Sequence, residues 1–328
     1  MTAHRPIKKS TSSLERAADF FGTDPLGSAP PIDLTGLPPE PGKRLRRARV
    51  QASPVEAPPV EPSPAAPDTP VAAPRAAPAI APTRYGTLDA DALAAMGMIV
   101  PGSPVSGIAE EYRIIKRELI RGITGAPGRP MLPRGHRILI ASANPGEGKT
   151  FSAINLALSL AVEADHDVVL IDGDMAKPSI VRTLGLEDGP GLMDALADPH
   201  LPVGDCLIQT DLPRLKVMPS GQSTSGDSEL LASSRTEALL SQLEAGAPGR
   251  IILIDSPPIL AASPAAVLAG HVGQLVMVVR ADETLEASLR DAVGLVSVCT
   301  HIQLLLNGVK FSPGGRRFGT YYGQGGGT

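Results

Sequence analysis

Tryptophan is absent from the 328 residues, and aromatic residues of any kind make up only 3%. Any core must therefore be aliphatic, and 42% hydrophobic residues are enough to build one. Cysteine is nearly missing too. Cys206 and Cys299 are the two in the chain, which argues against a disulfide framework and fits a reducing compartment. The six histidines are scattered, and neither H-E-x-x-H nor C-x-x-C occurs, so a zinc site is not expected. There is no G-x-S-x-G elbow of the hydrolase type. The net charge of −4 leaves no basic footprint of the kind nucleic acid demands. No apolar run reaches the length of a membrane span, and the longest apolar helix, near 153–162, is interrupted by Asn155 and Ser159. The opening MTAHRPIKKSTSS has no apolar stretch, so no secretory leader is expected.

Proline and glycine, by contrast, are plentiful at 34 each, and half of the prolines fall in residues 1–84. Segments such as PVEAPPVEPSPAAPDTP have neither helical nor strand period. They cannot bury enough apolar surface to offset backbone entropy, so 1–84 reads as a disordered Pro/Ala-rich arm. Two islands interrupt it. SLERAADFF (13–21) has the pattern of a short amphipathic helix, either transient or a docking motif. KRLRRAR (43–49) is a basic run that is either simply solvated or leans on anionic lipid.

From residue 85 the pattern becomes regular. TLDADALAAMG predicts a short helix stopped by Gly97. VSGIAEEYRIIKRELI (105–120) predicts a longer one, with Ile108, Tyr112, Ile115 and Leu119 on one face. Glu110, Arg113 and Arg117 form a separate charged stripe, with Lys116 at its edge. Apolar runs then recur at HRILIAS (136–142), DVVLIDGD (167–174), LKVMPSG (215–221), RIILIDSPP (250–258), GQLVMVVRAD (273–282) and HIQLLLN (301–307). Helical stretches fall between them, one of them in SELLASSRTEALLSQLEAG. This alternation predicts an α/β domain over 85–312, a parallel sheet with helices on both faces. The Gly/Tyr-rich remainder, 313–328, reads as a flexible tail.

The chemistry concentrates after the first long strand. SANPGEGKT (142–150) matches the phosphate-loop pattern G-x-x-x-x-G-K-[ST] except that Ala143 replaces the first glycine. Such a loop aims several backbone N–H groups at one anion, aided by the positive end of the next helix. Gly146 and Gly148 allow the tight wrap, Lys149 can bridge phosphate oxygens, and Thr150 can ligate magnesium. Ala143 ends the strand, where a small side chain is tolerable. Asp172, Asp174 and Asp255 follow two other apolar runs. In a parallel sheet those strand ends line one crevice, and three acids beside a phosphate loop point to magnesium and a base.

These stretches, together with AEEYRIIKREL, GLMDAL, SELLAS, LLLN and GTYYG, resemble the bacterial tyrosine kinases of polysaccharide export over residues 86–325. The likeness is greatest to the exosortase-associated tyrosine autokinases. It implies a P-loop NTPase-like fold and an ATP- and Mg2+-dependent autokinase. In that pattern, residues Asn144, Pro145, Gly146, Glu147, Gly148, Lys149, Thr150 and Phe151 cradle the nucleotide, and Asn307 meets the adenine. Lys149, Asp172, Asp174 and Asp255 are catalytic, with Asp172 as candidate base and Thr150, Asp174 and Asp255 on the metal side. Glu110, Arg113 and Lys116 stand at the family's subunit-contact motif E-x-x-R-x-x-R, with lysine in place of the last arginine, and a homo-oligomer is implied. Lys177 stands before Pro178 where the family often has arginine, which loses the planar fork.

Tyr321 and Tyr322 are the implied acceptors, half of the four tyrosines in the chain. The nine residues from 312 to 321 span about 30 Å extended and about 17 Å as a coil, enough to enter a neighbour's crevice. The resemblance also implies a separate membrane activator of the chain-length or export type. It places the chain in the cytoplasm, recruited to the inner face of the membrane. Two alternatives stay open. A partitioning-type ATPase switch shares the fold, but it carries a lysine where this loop has Asn144 followed by Pro145. A non-catalytic, nucleotide-gated export scaffold would also keep the loop.

Overall fold

The computed structural model describes residues 80–309 apart from 225 and 248. The arm islands at 13–21 and 43–49, and the tail with Tyr321 and Tyr322, lie outside the described residues. In chain order the elements are β1 (Arg84–Gly86), α1 (Ala90–Ala95), α2 (Gly107–Thr124), β2 (Arg137–Ser142), α3 (Lys149–Ala161) and β3 (Val168–Asp172). Then come α4 (Ile180–Leu184), α5 (Leu192–Ala197), β4 (Ile208–Thr210), β5 (Leu215–Met218), α6 (Asp227–Ala232) and α7 (Ser234–Glu244). The series closes with β6 (Ile251–Asp255), α8 (Pro264–Ala269), β7 (Gln274–Arg280), α9 (Glu286–Leu295) and β8 (Ile302–Asn307).

The eight strands form one sheet in the order β1-β4-β5-β3-β6-β2-β7-β8. Every neighbouring pair is parallel except β4 and β5, which run antiparallel. All residues of β2, β3 and β6 are buried, because helices cover both faces of the centre. Successive side chains alternate between the two faces. Ile138, Ile140, Val168, Leu170, Ile251 and Leu253 pack with α2 and α3 in one aliphatic cluster. Leu139, Val169, Ile171, Ile252 and Ile254 pack on the other face with α5, α7 and α8.

α3 is the central helix. Every residue from Ser152 to Ala161 is buried, so its apolar surface runs all the way round. Its Asn155 is not an interruption. It accepts from Ile99 N–H and donates to the Phe151 carbonyl, which ties the segment after α1 to the core. α2 starts at Ser106, whose hydroxyl accepts from Ala109 N–H, and ends at Gly125 with φ +75°.

Three expectations change. Residues 80–84 belong to the fold rather than the arm: Ile80 packs on the core, Thr83 N–H donates to the Gly204 carbonyl, and β1 pairs with β4. β1 and β4 are three residues each, too short to show a period. The single helix expected over 228–246 is two, broken at Ser233. That residue adopts an extended ψ of 160°, accepts from Arg235 N–H and donates to the Leu230 carbonyl.

Candidate active site

The sheet brings the candidate residues together at its C-terminal edge. Asp172 and Asp255 end β3 and β6 and are paired in register. β2 lies on the other side of β6 and feeds the phosphate loop. Gly173 lets the first two strands close up: its N–H donates to the Asp255 carbonyl at 2.8 Å, and a Cβ there would lie 2.6 Å from that oxygen.

The loop is wound by glycine. Gly146 and Gly148 have φ of +82° and +96°, conformations that side chains rarely adopt. A Cβ on Gly146 would meet nothing within 4 Å, so the cradle is open there. A Cβ on Gly148 would lie 2.0 Å from Asn307 Nδ2. α3 then starts at Lys149 with no side-chain cap, leaving its first N–H groups facing the loop.

Lys149 Nζ donates to Asp174 Oδ2 at 2.9 Å, an ion pair that is largely buried. Thr150 Oγ1 donates to Asp255 Oδ2 at 2.6 Å. Asp255 is wholly buried, and its Oδ1 has no partner among the described residues. Burial pushes its carboxyl up to about 7. Lys149 and the Thr150 hydroxyl pull it down, while Asp172 and Asp174 add to the rise. An orphaned carboxylate oxygen beside a threonine hydroxyl is a donor set that suits magnesium. Among the described residues no group of three or more acidic, histidine or cysteine ligands forms a cage. Thr150 and Asp255 would therefore share the ion with phosphate oxygens and water, as magnesium commonly does.

Other candidates turn out differently. Asp172 uses both oxygens on backbone N–H groups, of Asp174, Ser179 and Ile180 at 3.2, 2.9 and 3.0 Å. It anchors the entry to α4, and burial raises its pKa against those bonds. These three bonds use most of its acceptor capacity and leave one lone pair on Oδ1. Asn144 is also committed. Its backbone N–H donates to Glu147 Oε2 and its Nδ2 to Glu147 Oε1, so it shapes the loop rather than offering donors to phosphate. Asn307 Nδ2 donates to the Glu147 carbonyl at 2.9 Å, which ties β8 to the loop. Phe151 sits half-buried against the core, at one end of a groove of about 440 Å³ between α2 and β8.

Lys116 leaves the charged stripe on which it was expected. Its ammonium is buried, donates to the Ser159 carbonyl at 2.8 Å and pairs with Glu163. Glu110 and Arg113 pair with each other one turn away on α2. The trio thus does not present one surface, because the lysine stem reaches across α3.

No family model matches the chain. Comparison with known proteins does give relatives. The tyrosine-protein kinase YwqD of Bacillus subtilis (strain 168) is 31% identical over 217 residues, 66% of this chain and 87% of that protein. The chain belongs to the bacterial tyrosine kinase family. The tyrosine-protein kinase wzc of Salmonella typhimurium is 35% identical over 185 residues, 56% of this chain but 24% of that protein. The chain spans about a quarter of the length of several such kinases. The crystal structure of the VpsO kinase domain superposes with a TM-score of 0.50 at 28% identity, over 61% of this chain and 96% of that one. Membership in this tyrosine kinase family fits the mostly parallel α/β sheet. No helix among the described residues is long and apolar enough to cross a membrane.

Two contributors were not legible beforehand. Thr284, in the turn before α9, donates to Glu147 Oε1 at 2.6 Å, and nothing in its local sequence marks it. Gly173 reads as filler between two aspartates, yet its missing side chain is what admits the neighbouring strand.

Proposed function

We propose that the chain is an ATP-dependent protein-tyrosine autokinase whose acceptors are Tyr321 and Tyr322. The observation that carries the reading is the pair of contacts Lys149–Asp174 and Thr150–Asp255 at the mouth of an open glycine cradle. The family relationship supports it, and the kinase-like loop with Asn144 and Pro145 in place of a second lysine supports it against a partitioning switch.

When bound, ATP supplies the phosphoryl group and magnesium offsets its charge. The chain's own residues position and neutralise. Lys149 leaves Asp174 to meet phosphate oxygens, which frees a carboxylate at the crevice. Asp174 Oδ2 is then the acid oxygen best placed to take the tyrosine proton, since Asp172 already accepts three backbone N–H groups. A free tyrosine ionises near pH 10, so a carboxylate within reach assists at neutral pH. Thr150 and Asp255 hold the metal side. Glu110 and Arg113 contribute to contact between copies. A separate membrane protein of the polysaccharide-export type recruits the chain to the cytoplasmic face of the membrane and activates it.

The test uses γ-labelled ATP and phosphosite mapping of the full chain. Label is expected on Tyr321 or Tyr322, absent in Lys149→Ala and mostly removed by Tyr321→Phe with Tyr322→Phe. A double Phe protein that labels as strongly as wild type rejects the acceptors. Phosphate released to solution with no label on protein rejects the kinase in favour of the switch.

A further inference from the structure

The phosphate loop rests on a closed ring of hydrogen bonds that reaches two other strands. Glu147 is at its centre. It lies between the two glycines of the loop, and its residue is only 4% exposed. A buried carboxylate needs donors, because desolvating it without them is costly. Three serve it here. Asn144 N–H binds Oε2 at 2.9 Å, while Asn144 Nδ2 at 3.2 Å and Thr284 Oγ1 at 2.6 Å bind Oε1. The threonine bond is the shortest, and it is the one that comes from outside the loop.

Thr284 is itself held from below. Its hydroxyl accepts from Arg280 N–H at 2.9 Å, so its one proton is committed to Glu147. Its own N–H closes the turn on the Arg280 carbonyl at 3.0 Å. Asp282 takes φ +62° within that turn, a conformation asparagine and aspartate tolerate better than most residues. The turn is therefore a rigid shelf at the end of β7. β8 completes the ring. Ala281 N–H donates to the Asn307 carbonyl, and Asn307 Nδ2 donates to the Glu147 carbonyl.

We infer that Thr284 is a positioning residue for nucleotide binding, acting through the buried Glu147 carboxylate to set the curvature of the phosphate loop. The inference rests on the kinase reading only in taking the bound ligand to be a nucleoside polyphosphate. Its physical content is geometric. Glu147 holds the Asn144 N–H away from the cradle and pins the peptide between Gly146 and Gly148. The remaining loop N–H groups converge on one point only if that peptide is fixed. Converging donors lose much of their effect when displaced by a fraction of an ångström to an ångström. Removing the Thr284 hydroxyl leaves Glu147 one donor short and Arg280 N–H without an acceptor, while the fold around both stays packed.

The test compares Thr284→Val, nearly the same shape without the hydroxyl, with Thr284→Ser, which keeps it. A fluorescent ADP analogue is titrated into the full chain, and amide exchange at Asn144 is followed without nucleotide. Thr284→Val is expected to weaken analogue binding about tenfold, about 1.4 kcal/mol. It should speed exchange at Asn144 by a similar factor and keep the melting temperature within about 3 °C of wild type. Thr284→Ser should stay within about twofold in both. In a Glu147→Gln background the valine should add less than half of its effect, since the two act on one bond. Unchanged exchange at Asn144 in Thr284→Val overturns the inference, and so does serine behaving as valine does. If wild type itself fails to bind the analogue, the nucleotide reading fails. The exchange experiment still decides on the brace.

Discussion

Gly148→Ala tests the geometry of the phosphate loop at its tightest point. Two separate costs can be worked out from the structure. The backbone holds φ at +96°, and placing a side chain in the left-handed region costs about 1–2 kcal/mol. The new Cβ would also lie 2.0 Å from Asn307 Nδ2. That atom is the far end of a side chain, so it can swing aside, but it then gives up its bond to the Glu147 carbonyl. A lost hydrogen bond of this kind is worth about 1 kcal/mol. The sum is about 2–3 kcal/mol, which lowers the melting temperature by about 5–10 °C for a domain of this size. Asn307→Ala separates the two parts, because in that background there is nothing left to clash. Gly148→Ala should then cost only the backbone part, about 1–2 kcal/mol, a non-additivity measurable by urea denaturation of the four proteins in a cycle. Equal costs in both backgrounds would show that Asn307 does not close on the loop. No cost in either would refute the left-handed winding altogether.

Two further expectations concern parts of the fold away from the loop. Arg137, at the start of β2, is nearly buried and pairs with Glu237 and Glu244. Burial alone would raise the pKa of Glu244, but hydrogen bonds from His136 and Arg137 outweigh it and hold the group at about 2. A carboxylate depressed in the folded state adds stability that is fully present above its ordinary value near 4.5 and is lost as pH falls towards 2. Glu244→Gln should therefore lower stability by about 2 kcal/mol at pH 7. Urea midpoints of the two proteins should converge only as pH falls to about 2 and below, and a full gap that persists there would refute the assignment. Lys116→Ala should remove about 2 kcal/mol of stability by unpairing the Ser159 carbonyl and stripping a packed stem. Sedimentation velocity should show no change in assembly. An unchanged melting temperature with altered assembly would return Lys116 to the surface motif.

Much of the fold could be read from local pattern. Six strands appear as apolar runs. Five are largely buried and need little polarity, while β8, at the sheet edge, is apolar although Leu304 and Leu306 are exposed. The phosphate loop and its lysine and threonine are contiguous, so their chemistry is visible in nine letters. Asp172, Asp174 and Asp255 stand out because a charge directly after a buried strand has few structural reasons to be there. β1 and β4 were missed for the opposite reason, since three residues cannot establish a period. Ser233 breaks a helix that its neighbours favour, through side-chain bonds that propensity does not reveal. Lys116 looked solvated because helical spacing places a residue on a face but does not say where a long flexible stem will end.

The amino-acid sequence by itself determined the class of the domain, the position of its phosphate loop and the acids that gather around it, because each of those rests on residues close together in the chain. Only the tertiary structure decided which partners the acids take. Asp172 accepts from backbone N–H groups at the start of α4, Asp174 from Lys149 and Asp255 from Thr150, and those partners are set by which strands lie side by side. It also decided that Glu147 in the loop meets Thr284, 137 residues later. No periodicity can carry that information, since the contact depends on β2 and β7 pairing in one register across the sheet.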